Sequence, residues 1–297
     1  MNKISYFLLF VPFFITAQQA KIYEPGIISN DGVFGFTLSP DSNRALWVNS
    51  NGGRDTLIIM ESVKRNGKWQ KPVKASFSNQ LPHKDIDPIF SPDGKTVLFQ
   101  SNRPVKGLPN RTRFDIYSTE KTENGWSEPV NLSEINTDAS ESFASISKKG
   151  TIYFMKDNEN GTGKSDIYFS EFINGKHTAA KNLGEPINTN ERESNPYISE
   201  KEDYIIYFST DPKGFGDVDL YISFRKNNKW TIPQNLGSEI NSEVAEFCPF
   251  VHQKENRLYF ARQKKKDEKR FIENIYYYEN FNALLKKLKK KAVLPKA

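Results

Sequence analysis

The sequence predicts an all-β fold: a β-propeller of five four-stranded blades, with six blades as the alternative. Two observations carry this. One β-rich pattern recurs about every fifty residues, and each copy reads as four short strands separated by turn residues. The composition agrees, with 13 Tyr, 22 Phe and 4 Trp against 3 Met among 297 residues. With 37% hydrophobic and 26% charged positions, a collagen, a disordered tail and a polytopic membrane protein are excluded.

Residues 1–17 read as a secretory signal peptide. Lys3 gives the early charge, an apolar run follows to Ile15, and Ala17 precedes the polar Gln18-Gln19. The apolar run is short for a membrane span, and no Cys follows it to carry a lipid anchor. The single cysteine, Cys248, permits no internal disulfide. It reads as a small buried apolar residue, or alternatively as a reactive thiol.

The propeller is expected over residues 18–279, with blades at about 33–84, 85–140, 141–192, 193–245 and 246–279. The clearest copy runs Asp85-Ile86-Asp87-Pro88-Ile89-Phe90-Ser91-Pro92-Asp93-Gly94, then Thr96-Val97-Leu98-Phe99-Gln100-Ser101-Asn102-Arg103, then Phe114-Asp115-Ile116-Tyr117. Ser-Pro-Asp-Gly is turn chemistry. Its first position falls at Ser39, Ser91, Ser147, Ser199 and His252, at intervals of 52, 56, 52 and 53. Trp69, Trp126, His177 and Trp230 recur near the outer strand. Such bulky repeats are expected between blades, the alternative being an exposed sugar-stacking platform.

The fifth copy lacks an outer strand. Residues 22–29, beginning Ile22-Tyr23-Glu24-Pro25, align with the segment that begins Trp230-Thr231-Ile232-Pro233. This N-terminal strand is expected to pair with the last blade and close the ring, which removes an exposed edge.

The Asp-x-x-Pro-x-Phe-Ser-Pro-Asp-Gly pattern, with Phe-x-Ser-Asn-Arg and Asp-Ile-Tyr, resembles the WD-like repeat of TolB-type β-propellers. The resemblance covers the mature chain to about Tyr278. It implies a periplasmic protein that binds protein partners of the cell envelope. The chain departs from that family in having five repeats and no TolB-like N-terminal domain. Ile58 also replaces the Asp of Asp-Ile-Tyr in the first copy, and Lys148-Lys149-Gly150 replaces Pro-Asp-Gly in the third.

Four copies carry an acid just before or at the first strand: Asp85, Glu141, Glu193 and Glu246, with Val33 in the first copy. Innermost strands line a propeller's channel, so these are the candidate binding residues, a partial ring of carboxylates at one mouth for a cation or basic segment. The alternative is that each accepts hydrogen bonds from neighbouring N–H groups. Asp115, Asp166 and Asp219 form a second equivalent set, read as local backbone acceptors. No metal and no cofactor are expected, because the Asp157-x-Glu159-x-Gly161 loop and Asp211, Asp217 and Asp219 lack the twelve-residue calcium pattern. His83, His177 and His252 occupy non-equivalent positions, and no nucleophile elbow, zinc motif or phosphate loop is present. The expectation is therefore a protein that is not an enzyme.

Residues 280–297 form a basic amphipathic tail, with Phe281, Leu284, Leu285 and Leu288 at helical spacing among lysines. It is expected to dock beside the last blade, or to make at most a peripheral membrane contact. Residues 261–297 carry a net +8 and the leader +1, so the body bears −3 of the total +6. Nucleic acid is thus not an expected partner. The sequence-based expectation is an exported monomer, periplasmic or secreted, with outer-membrane association as one form of that. It binds a protein of the envelope or a surface polysaccharide. The alternatives are a glycan-degrading lyase or hydrolase, for which Arg103, Arg111 and Arg113 are the hint, and a structural scaffold module.

Overall fold

The computed structural model describes residues 19–78, 82–105, 107, 112–157 and 165–296. The expected leader, Arg111, Glu159 and Gly161 lie outside these residues. Blade 1 runs Val33–Leu38, Arg44–Asn49 and Ile58–Arg65, with an outer edge split between Lys68–Trp69 and Val73–Lys74. Blade 2 is Asp85–Phe90, Thr96–Ser101 and Asp115–Thr122, edged by Gly125–Trp126 and Val130–Asn131. Blade 3 is Glu141–Ile146, Ile152–Asp157, Ser165–Ser170 and Lys181–Asn182, with a separate hairpin of Phe172–Ile173 and Lys176–His177. Blade 4 is Glu193–Ile198, Tyr204–Ser209 and Asp219–Lys226, edged by Lys229–Trp230 and Gln234–Asn235. Blade 5 is Ala245–His252, Arg257–Lys265 and Phe271–Glu279, and its fourth strand is Lys21–Ile22.

The innermost strands contact one another in the cyclic order of blades 1, 2, 3, 4, 5 and 1, so the five sheets circle one axis. The ring is closed as expected, with Lys21 opposite Tyr277 and Ile22 opposite Tyr276 in an antiparallel pair. The register differs from the alignment. Ile22 faces Tyr276 as Asn235 faces Tyr221, so the closing strand matches Gln234–Asn235, not the Trp230 segment. Hydrogen bonding sets this: Tyr23 N–H donates to Ile275 O at 2.8 Å, as Leu236 N–H does to Leu220 O at 3.0 Å. The Tyr23 ring is buried against Phe36, Tyr259 and Tyr277, with centroids 5.2, 5.0 and 5.8 Å away.

Side-chain relays tie each blade to its connector. Asp115, Asp166 and Asp219 accept from Asn131, Asn182 and Asn235 at 2.9, 2.8 and 2.7 Å. A second Asn brackets the main chain of the next residue. Asn136 accepts Ile116 N–H and donates to Ile116 O, both at 2.9 Å. Asn188 does the same for Ile167 and Asn241 for Leu220. In blade 1 the Ser78 hydroxyl accepts Ile59 N–H at 2.8 Å. In blade 5, Ser29 takes that role at Ile275.

The turns behave as their residues dictate. Ser91 Oγ donates to Asp93 Oδ1 at 2.6 Å and accepts Thr96 N–H at 3.0 Å, while Gly94 supplies the positive φ that other side chains rarely adopt. Trp126 wedges between blades 1 and 2, its ring 5.6 Å from Phe77 and 5.9 Å from Phe90, and Trp69 and Trp230 are buried. The recurring aromatic position is therefore packing.

The tail is helix α1, Phe281–Lys291. Phe281, Leu284 and Leu288 are buried. Asn256 caps its start through O to Phe281 N–H and Oδ1 to Asn282 N–H. The chain beyond it joins blade 4, where Ile232 N–H donates to Val293 O at 2.9 Å and Lys226 Nζ to Ala292 O at 2.6 Å. Among the described residues no helix is long and apolar enough to cross a membrane.

Candidate binding site at one mouth of the channel

Every innermost strand is interrupted two residues after its acid position. A bulge falls there in all five blades, on Gly35, Asp87, Phe143, Asn195 and Cys248, each with φ between 52° and 60°. A left-handed residue inside a strand turns its side chain out of the ladder, and the five bulges occupy equivalent places around the channel. At Gly35 a Cβ would lie 2.8 Å from Asp87 Oδ1, so a larger residue there would displace the Asp87 carboxyl.

One channel mouth holds a cavity of about 400 Å³. Asp87, Phe143 and Asn195 line it from the bulges, and Arg54, Arg192 and Asp157 from the connecting loops and strand ends. Phe34, Phe208 and Phe247 supply apolar wall. Arg54 stacks over Phe34 at 4.8 Å and Phe247 at 5.7 Å, and its Nε donates to the buried Glu273 at 3.1 Å. Arg192 lies over Phe208 at 5.4 Å.

Asp87 is 4% exposed. Its Oδ1 faces Cys248 Sγ at 3.8 Å, and its Oδ2 has no hydrogen-bond partner. Burial pushes its carboxyl up to about 8, with the Arg54 charge pulling the other way. Burial thus favours the protonated form of Asp87. Burial likewise raises the Cys248 thiol, and its N–H is satisfied by Asn195 Oδ1 at 2.9 Å. That environment suits a structural cysteine.

The four acids singled out from the sequence lie elsewhere. Asp85, Glu141, Glu193 and Glu246 are at most 1% exposed and none lines the cavity. Glu193 accepts Thr189 N–H at 3.0 Å, Thr189 Oγ1 at 2.7 Å and Ser209 Oγ at 3.1 Å. Glu141 takes the corresponding Thr137 N–H, and Glu246 takes Ser242 N–H and Arg262 Nε at 2.9 and 2.7 Å. Asp85 accepts Arg103 at 3.0 Å and Ser78 Oγ at 3.2 Å. Each acid locks the connector from the preceding blade. Burial raises the carboxyls of Glu141, Glu193 and Glu246, and the hydroxyl and N–H donors draw them back.

The opposite mouth holds a smaller cavity, about 160 Å³, lined by Leu38, Ile89 and Phe250 with His252. There His252 Nε2 is 3.1 Å from Ser39 O and Glu255 N–H donates to Nδ1, so both ring nitrogens are engaged. Among the described residues no group of three or more His, Cys, Asp or Glu could hold a metal ion.

No sequence-family model matches the chain, and no curated protein matches it. Solved structures do. A thermostable family-43 glycoside hydrolase superimposes with a TM-score of 0.58 at 13% identity, over 85% of this chain and 91% of that one. A putative TolB from Agrobacterium tumefaciens gives 0.51 at 14%, over 80% and 72%. An α-L-arabinofuranosidase from Lactobacillus brevis gives 0.51 at 13%, over 84% and 92%. At such identities the likeness is one of fold: the chain is a five-bladed, TolB-like β-propeller.

Proposed function

We propose that the protein is an exported, non-catalytic binding propeller that takes a component of the cell envelope at the Arg54–Arg192 mouth of its channel. The observation that carries this is the cavity of about 400 Å³ at the channel mouth, lined by Arg54, Arg192 and the buried Asp87. The volume suits a chain end or a short segment better than a flat protein face. Export rests on the charged, apolar and small-residue layout of residues 1–17. The test is retention of envelope proteins and polymers on the immobilised protein and on Arg192→Gln. A component held by the wild type and released by the variant supports the site, and equal retention contradicts it.

A second reading is a glycan hydrolase. It is favoured by Asp87 and the exposed Asp157, two carboxyl side chains that line the same cavity. Release of reducing ends from polysaccharides, abolished in Asp87→Asn, would replace the first reading with this one.

A further inference from the structure

The cavity's groups also define the chemistry of what it takes. Arg54 and Arg192 are both held in place by aromatic faces, at 4.8 Å from Phe34 and 5.4 Å from Phe208. Arg54 is further fixed by Glu273, and Arg192 Nε is 3.4 Å from Ser165 Oγ. A guanidinium whose plane is set in advance is suited to a carboxylate, because less freedom is lost when the pair forms. At the buried end of the same cavity the demand is different. Asp87 Oδ2 has no partner, and the polar neighbours Ser142, Ser194 and Asn195 are uncharged. A hydroxyl can donate to Asp87 or accept from it, so it satisfies that carboxyl with or without its proton. The walls between are aromatic, including the half-buried Phe114 and Phe143.

Resting on the binding role argued above, we propose that the cavity takes a carboxylated sugar, a uronic acid unit of an acidic polysaccharide. Its carboxylate meets Arg192 beside Arg54, a ring hydroxyl meets the Asp87 carboxyl, and its C–H face lies on the phenylalanine wall. One uronate ring carries all three features. A neutral sugar leaves Arg192 without an anion, Arg54 being paired already with Glu273. An acidic peptide side chain supplies the anion but no hydroxyl for Asp87. Asp157 on the rim disfavours a denser polyanion such as polyphosphate by like-charge repulsion.

Calorimetric titration of the full chain with short oligomers of galacturonate, glucuronate and mannuronate, each beside its methyl ester, tests this. The ester keeps every hydroxyl and removes the charge. At least one acid is expected to bind, with its ester weaker by about tenfold or more. Arg192→Gln should lose about tenfold for the acid and nothing for the ester. Asp87→Ala, which removes both oxygens, should weaken acid and ester alike. Melting curves establish that both variants are folded. An ester bound as tightly as its acid overturns the carboxylate assignment. So does failure of all three acids while Arg192→Gln still releases some other envelope component, a result that leaves the binding role standing. If neither the acids nor any envelope component distinguishes wild type from Arg192→Gln, the binding role itself fails.

Discussion

The Ser29 hydroxyl sits between the two main-chain polar groups of Ile275, 3.2 Å from its N–H and 3.3 Å from its carbonyl. Both residues' contacts are buried, and the pair spans 246 positions of chain. Ser29 does for the last blade what Asn136, Asn188 and Asn241 do for blades 2, 3 and 4. Ser29→Ala should leave Ile275 N–H unpaired, its carbonyl still accepting Tyr23 N–H, and cost about 1–3 kcal/mol. Chemical denaturation measures this, and amide exchange at Ile275 should accelerate with it.

The Tyr23 ring fills the same closure. Tyr23→Ala should cost about 3–5 kcal/mol, the range for removing a buried aromatic side chain. Removing residues 18–30 takes away the strand and the ring together, and exposes the edge of Phe271–Glu279. The truncated protein should melt far below the full chain or aggregate. Normal melting would place the closure elsewhere.

Glu193 is a structural acceptor in this account. Glu193→Ala leaves Thr189 N–H and the Ser209 hydroxyl without their carboxylate. Stability should fall by about 1–3 kcal/mol, while the folded variant should bind the channel-mouth ligand as the wild type does. Lost binding with unchanged melting would instead return these acids to the binding site.

Asp87 makes stability depend on pH. Its carboxyl lies at about 8 when folded, above its ordinary value of 3.8, so folding favours the protonated form. Unfolding then releases a proton between those two values, and stability falls as pH rises through them, by up to about 1.4 kcal/mol per pH unit. The groups that bear on it are Arg54, which opposes the shift, Glu273, which adds to it, and the Cys248 thiol. Asp87→Asn cannot titrate, and Asn also tolerates the left-handed bulge. Its melting temperature, measured from pH 4 to 8, should therefore decline less steeply than that of the wild type. Parallel curves would show that Asp87 is ionised throughout.

The blades were legible because turn and strand chemistry repeats. Ser91 and Asp93 set a hydrogen-bonded turn wherever they recur, and the missing fifth outer strand is visible as an absence. The closing register was not legible. Pro25 and Pro233 invite an alignment that the ladder ignores, since the hydrogen bonds follow Tyr23 and Leu236. The acids Asp85, Glu141, Glu193 and Glu246 repeat because a buried latch repeats, and a repeated residue in a propeller is first of all architecture. The cavity's own residues do not repeat. Arg54 and Arg192 come from different copies at different places, and the bulge position holds Gly, Asp, Phe, Asn and Cys. One signal was available: Gly35, Asp87, Phe143, Asn195 and Cys248 keep the spacing of the turn serines, while their chemistry varies around the ring.

The central claim is that the Arg54–Arg192 mouth, and not its opposite, receives the ligand. Hydrogen–deuterium exchange with and without the tightest-binding uronate oligomer tests it most directly. Slowed exchange is predicted in peptides that contain Arg54 and Leu57, Ser140 to Phe143, and Arg192 to Asn195. Protection confined to Pro40, Pro92 and His252 to Lys254, at the other mouth, would contradict it.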